Sequence, residues 1–356
     1  MRLKFPMPFS SVMRQQKKWQ KTLSKLMEPA IAPAKAKAKP RASRPAGARL
    51  HEVVAFGANP GGLRMLEYVP PQLKAGAPLV VVLHGCLQTA ADFDRGSGWS
   101  RLAKEMGFAL LYPEQRSNNN PNLCFNWFRP SSVARDRGEL MSIRQMIDNL
   151  SSRHKISPDR IFVMGLSAGG AMASALLAVY PDLFAGGAIV AGLPYGAARD
   201  AMSAMSVMKS SANRSAREWG DLVRSATPEI DSLPKISIWH GLADRVVNPS
   251  NARASLHQWL DLHGLPEEAA REEVDGSRVT RTWLAPDGEV AVELHLVHGM
   301  DHGLAVSTRG AVQPHRDAVP FMLEQEICTP TELAASWGLG QAKGIRKKSG
   351  GSRGGL

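Results

Sequence analysis

Between residues 78 and 328 short apolar runs alternate with longer stretches whose apolar residues recur every three or four positions. PLVVVLHG (78–85), FALLYPE (108–114), RIFVMGLS (160–167), AGGAIVAG (185–192), KISIWHG (235–241) and VELHLVHG (292–299) read as strands. Runs this continuously apolar suit strands covered on both faces. RGELMSIRQMIDNLSSRH (137–154) instead puts Leu140, Ile143, Met146, Ile147 and Leu150 on one helical stripe. A polar stretch reads as helical up to Met106, Ala168 to Tyr180 as a helix of small residues, with further helices near 250–262 and 318–328. Strands separated by helices predict right-handed crossovers and a mostly parallel central sheet with helices on both faces. HEVVAFGANPGGLRMLEYV (51–69) reads as an antiparallel hairpin at the sheet edge, and residues 196–233 as a helical excursion with no strand. A single α/β domain over 50–330 is the expected organisation.

The two ends have a different pattern. Residues 28–49 are rich in Ala, Pro and Lys without a large apolar face, and QAKGIRKKSGGSRGGL closes the chain, so a disordered basic arm (1–49) and a basic tail (331–356) are expected. Within the arm, Val12, Trp19, Leu23 and Leu26 fall at helical spacing among Lys17, Lys18, Lys21 and Lys25, the pattern of an amphipathic basic helix over 11–27. Charge changes meaning once it is located. The net charge is +12, but residues 1–49 hold 13 basic residues and one acid and residues 341–356 hold five and none, which leaves 26 basic against 31 acidic residues between them. The basicity belongs to the ends, and specific nucleic-acid recognition by the body is not expected. No run approaches the roughly 18 apolar residues that span a bilayer. The opening MRLKFPMPFSSVM is broken by Pro6 and Pro8 and gives no clear secretory signal.

The chemistry gathers where strands end. Gly165, Ser167 and Gly169 form G-x-S-x-G on the turn between a predicted strand and a predicted helix. In that context the pattern is a nucleophile elbow, whose neighbours must be small because the serine backbone is strained. A serine hydroxyl needs a base and the base an orienting acid, in the chain order Ser, Asp or Glu, His. Asp244 follows the strand KISIWHG and His302 follows VELHLVHG, each in a loop at a strand's carboxyl end. His298 and Asp301 are the rivals for base and acid, while His84, His240 and His295 read as structural. The oxyanion of the intermediate needs two amides, for which Ala168 and Cys86 are the candidates. H-E-x-x-H, paired C-x-x-C and Walker-type patterns are missing, so neither cofactor nor metal is expected.

LHGCLQTA (83–90), CFNWF (124–128), GLSAGG (165–170), HGLADRVV (240–247) and HGMDHG (298–303), in this order, resemble the polyhydroxybutyrate depolymerase family of esterases, relatives of feruloyl and acetylxylan esterases in the α/β-hydrolase superfamily. The likeness covers roughly 50–328. It implies a serine esterase with Ser167 as nucleophile, Asp244 as acid, His302 as base and an oxyanion hole at Cys86 and Ala168. It also implies a bridge from Cys86 to Cys124, with Cys328 unpaired; free thiols remain the alternative. Trp127 and Phe128 are candidate walls for an acyl group, with ordinary packing as the other reading. The sequence departs from the family pattern at Asp301 and Leu304, around the base. The resemblance implies an exported enzyme acting on short-chain polyhydroxyalkanoate polymer or oligomers, or on feruloyl and acetyl esters of plant polysaccharide, while the leader leaves a cytoplasmic enzyme open. The basic arm could adsorb to a granule or other anionic surface. An inert body whose arms bind lipid or nucleic acid is the competing class of reading; oligomeric state is left open.

Overall fold

The computed structural model describes residues 50–307 and 319–340. The basic arm with its expected helix over 11–27, and residues 341–356, lie outside the described residues. The strands are β1 (His51–Val53), β2 (Arg64–Tyr68), β3 (Leu79–Leu83), β4 (Ala109–Glu114), β5 (Ile161–Leu166), β6 (Gly186–Val190), β7 (Lys235–Gly241), β8 (Arg271–Asp275), β9 (Arg278–Leu284), β10 (Val290–Val297), β11 (Leu304–Val306) and β12 (Met322–Glu324). Ten of them form one sheet in the order β1-β2-β4-β3-β5-β6-β7-β10-β9-β8. The six from β4 to β10 run parallel, and antiparallel pairs close both edges.

Every residue of β3, β4, β5 and β6 is buried. Both faces are therefore covered, as crossover helices require. The helices are α1 (Ala90–Ser97), α2 (Trp99–Met106), α3 (Pro130–Val133), α4 (Gly138–His154), α5 (Ala168–Val179), α6 (Ala201–Lys209), α7 (Ala216–Ala226), α8 (Ser250–His263) and α9 (Thr329–Ser336). The stripe on α4 is buried at Leu140, Ile143, Met146, Ile147 and Leu150, as its period predicts. Helix α5 is buried along its whole length, which its Ala- and Gly-rich sequence permits by letting the backbone lie close to the sheet.

Two expectations fail at the carboxyl end. The closing helix falls at 329–336 rather than 318–328; the earlier segment instead forms β12, which pairs with β11, after Phe321 takes φ 67°. The segment 331–340, expected in the tail, packs into the body. Trp337 stacks on Phe162 of β5 (4.9 Å, 12°) and on Trp99 of α2 (6.3 Å, 14°), and Leu333 and Ala334 are buried. One aromatic anchor and two apolar residues thus carry the ordered body past 330.

Candidate active site

The loops that follow β3, β5, β7 and β10 all leave the same carboxyl edge of the sheet. Ser167 follows β5 at φ 58°, ψ −117°, a conformation that costs a residue with a side chain roughly 1–3 kcal/mol. Its surroundings explain the glycines. A Cβ at Gly165 would stand 2.1 Å from Gly169 O, and one at Gly169 would stand 2.3 Å from Leu83 O and 2.6 Å from His84 O. Only hydrogen at these positions lets α5 start against the ends of β5 and β3. The same closeness brings the β3 loop to the serine: a Cβ at Gly85 would lie 3.6 Å from Ser167 Cβ.

In that loop the amide of Gly85 donates to Gln88 Oε1 (2.8 Å) and the amide of Leu87 to Asn122 O (2.8 Å). The Cys86 amide between them has no acceptor among the described residues. Ala168 is the first residue of α5, where an amide has no intrahelical acceptor and the helix dipole favours negative charge. Among the described residues neither amide has an acceptor, and Gly85, the neighbour of Cys86, lies against Ser167. Cys86 is bonded to Cys124 (Sγ–Sγ 2.12 Å), tying this loop to the segment carrying Trp127 and Phe128, and Cys328 is free. Both rings are buried, Trp127 at 9% exposure and Phe128 at 2%, and they meet edge to face. Packing is the larger part of what they do.

The residues expected as acid and base, Asp244 and His302, stand on two other loops. Asp244 and His302 are buried, and His302 Nδ1 donates to Asp244 Oδ2 over 2.7 Å. Asp244 Oδ1 accepts the amides of Val246 and Val247, both at 2.8 Å. Burial pushes the Asp244 carboxyl up, but His302 and the hydrogen bonds from His240 and His302 outweigh it and hold the group well below the usual carboxylate range. His302 Nε2 is buried and has no hydrogen-bond partner among the described residues, Ser167 included. Such contacts are often long in free enzymes and tighten when substrate binds.

The rival residues have other tasks. Asp301 does not orient the base; it receives Arg245 Nε (2.9 Å) and the amides of Arg245 (3.1 Å) and His302 (2.8 Å), pinning the two loops together. Gly241 assists, since a Cβ there would stand 2.3 Å from Met300 O, and Ala243 N donates to that oxygen (3.0 Å). His298 is exposed and lies just beyond β10, which ends at Val297, rather than within the strand. His84 donates from Nδ1 to Gly85 O (2.7 Å) and accepts the Gln115 amide at Nε2 (3.2 Å), and burial lowers its pKa, so its ring is a spacer in the β3 loop. His295 stacks on Trp239 with ring centroids 3.9 Å apart.

Sequence reasoning missed two features. His240, four residues before Asp244, touches its carboxylate (Nε2 to Oδ2, 3.2 Å). Glu139, at the start of α4, is buried and accepts Asn126 N (2.8 Å), Asn126 Nδ2 (2.6 Å) and Gln115 Nε2 (2.9 Å), so it anchors the loop that holds Cys124 and Trp127. An acid beside an apolar helical stripe was the available signal for the second. Among the described residues no group of three or more His, Cys, Asp or Glu side chains could hold a metal ion, and no helix is long and apolar enough to cross a membrane.

A strained serine between a buried strand and a buried helix, at the carboxyl edge of a mostly parallel sheet, places the protein in the α/β-hydrolase class. The solved acetyl xylan esterase from Aspergillus awamori has the same fold, with a TM-score of 0.69 at 21% identity, covering 82% of this chain and 99% of that one. Residues 63–280 match the family model described as Esterase PHB depolymerase. The chain belongs to that family and is a carboxylic-ester hydrolase. It is 39% identical over 291 residues to Poly(3-hydroxyalkanoate) depolymerase C of Paucimonas lemoignei (82% of this chain, 70% of the relative), and 33% identical over 225 residues to Feruloyl esterase B of Thermothelomyces thermophilus (61% and 76%). Acetylxylan esterase A of Aspergillus oryzae is 26% identical over 273 residues (75% and 88%).

Proposed function

We propose that Ser167, His302 and Asp244 act as the triad that cleaves the ester. His302 Nε2 takes the hydroxyl proton as Oγ attacks the carbonyl carbon, and Asp244 stabilises the imidazolium so formed. The amides of Cys86 and Ala168 receive the oxyanion. The tetrahedral intermediate collapses as His302 returns the proton to the leaving alcohol, and water, deprotonated by the same ring, then releases the acid from Ser167. The observation that carries this reading is the 2.7 Å bond from His302 Nδ1 to Asp244, with Nε2 left free.

For substrate we assign short-chain polyhydroxyalkanoate polymer or its oligomers, on the likeness to the depolymerase. Feruloyl or acetyl esters of polysaccharide form the second reading, supported by the fungal relatives. Trp127 keeps the larger exposure of the two rings and is the one assigned to the wall of the acyl pocket. The basic arm is assigned to adsorption on a granule or other anionic surface, and unchanged adsorption after deletion of residues 1–48 would end that assignment. Hydrolysis of a p-nitrophenyl short-chain ester, of polyhydroxybutyrate film and of a feruloylated sugar, each with wild type and Ser167→Ala, tests the whole reading. Film hydrolysis lost in the variant supports the depolymerase assignment; activity on the sugar ester with none on film or oligomer transfers it to the second reading.

A further inference from the structure

His240, the penultimate residue of β7, has its ring against the acid of the proposed triad, and nothing in the mechanism above uses it. The side chain is buried at 1% exposure, with Nε2 lying 2.9 Å from Val247 O and 3.2 Å from Asp244 Oδ2. A backbone carbonyl can only accept, so the proton is on Nε2. That single N–H forks between the Val247 carbonyl and the same carboxylate oxygen that His302 Nδ1 addresses at 2.7 Å. The other oxygen is already occupied by two amides. Asp244 therefore has four donors around it, and two of them, His240 from β7 and His302 from the loop after β10, share Oδ2.

We propose that His240 is a positioning residue for ester hydrolysis: it holds Asp244 Oδ2 in place and, by sharing that oxygen, sets how strongly Asp244 stabilises the His302 imidazolium. The inference rests on the triad reading above. His240 can act as a fixed stop because its backbone lies in β7, paired with Leu296 of β10, whereas Asp244 is on a loop. Among the described residues, Arg245 and Asp301 on the two adjoining loops bind each other and are unaltered in the variants below. From β12's side the ring of Phe321 faces His302 edge-on at 6.0 Å and brings no charge.

Removing the fork leaves Oδ2 more basic and its grip on an imidazolium stronger, so the base is protonated at higher pH. His240→Leu is expected to move the acid limb of the kcat/KM profile to higher pH and to lower kcat about tenfold, with KM for a soluble short ester unchanged. His240→Gln carries an amide N–H near the position of Nε2 and is expected to restore both the limb and most of kcat. Titration with a fluorophosphonate counts competent sites, so a loss of folded protein does not pass for a change in kcat. A purely structural role lowers the count and leaves the limb where it was. Folded His240→Leu with an unmoved acid limb overturns the proposal. If that variant does not fold, ¹⁵N–¹H correlation of the wild-type histidine rings decides: a proton on Nε2 of His240 supports the proposal, and a bare Nε2 overturns it. Ser167→Ala and His302→Ala on the same ester separate the two claims, because retained hydrolysis in either removes the triad reading, while dead controls with an unmoved limb remove His240 alone.

Discussion

Asp244 and Glu139 are both buried carboxylates that accept several hydrogen bonds on the carboxyl side of the sheet, yet they are displaced in opposite directions. Burial raises the pKa of Glu139, and the Asn126 and Gln115 donors that oppose it do not outweigh that cost. At Asp244 burial acts the same way but is overcome by the imidazole of His302 together with two side-chain donors. The difference is the partner. The Asn126 and Gln115 amides, with Arg129 acting only through its charge, offset the burial of Glu139 in part, whereas the His302 ring acts on Asp244 through both charge and hydrogen bond and, with His240, outweighs its burial. One site is accordingly a structural anchor and the other, in the proposed triad, a counterion for a proton being moved.

The largest effect expected is on Ser167. Ser167→Ala should lower kcat on a p-nitrophenyl ester on the order of 10⁴-fold or more with the fold intact by circular dichroism. Asp244→Asn keeps the shape but removes the charge and presents the wrong hydrogen-bonding face to His302, for an expected loss of about 10³–10⁴ in kcat. Asp244 also gives the stability profile its sign. A depressed carboxyl contributes stability above the unfolded-state pKa of about 4 and loses it as pH falls through the folded value, so the wild type's stability relative to Asp244→Asn should shrink in denaturant titrations below about pH 4.

The anchor side predicts smaller, conformational effects. Cys124→Ser opens a loop of 38 residues and should cost about 3–4 kcal/mol of unfolding free energy, with kcat falling as the Cys86 amide loses its mooring. Glu139→Gln turns an amide donor toward Asn126 and should cost about 1–3 kcal/mol, with KM rising more than kcat falls. For Glu139 the sign is opposite to that for Asp244: a raised carboxyl stabilises below the unfolded-state pKa and loses that contribution as pH rises through the folded one.

The parallel core was legible because its strands are continuous apolar runs, and Ser167, Asp244 and His302 stood out because each follows such a run. The edge hairpin of β8 and β9 was not legible. Every residue of β8 is exposed, and its charges, among them Glu272 and Glu273, guard a free edge instead of marking a core face. Trp337 was overlooked for the same kind of reason, since one aromatic residue beyond the last periodic segment announces nothing until Phe162 and Trp99 are seen beneath it. His240 read as structural because spacing along a strand does not reveal that the turn through Gly241 folds Asp244 back onto it. Charge on the ends, by contrast, was plain in the sequence and says nothing about the site.

In the proposed mechanism Ser167 is the nucleophile and His302 its base. Labelling with a fluorophosphonate followed by peptide mass spectrometry addresses it directly: a single adduct is predicted on Ser167, absent in His302→Ala at equal protein. An adduct on another residue, or undiminished labelling of Ser167 without the imidazole, would contradict it.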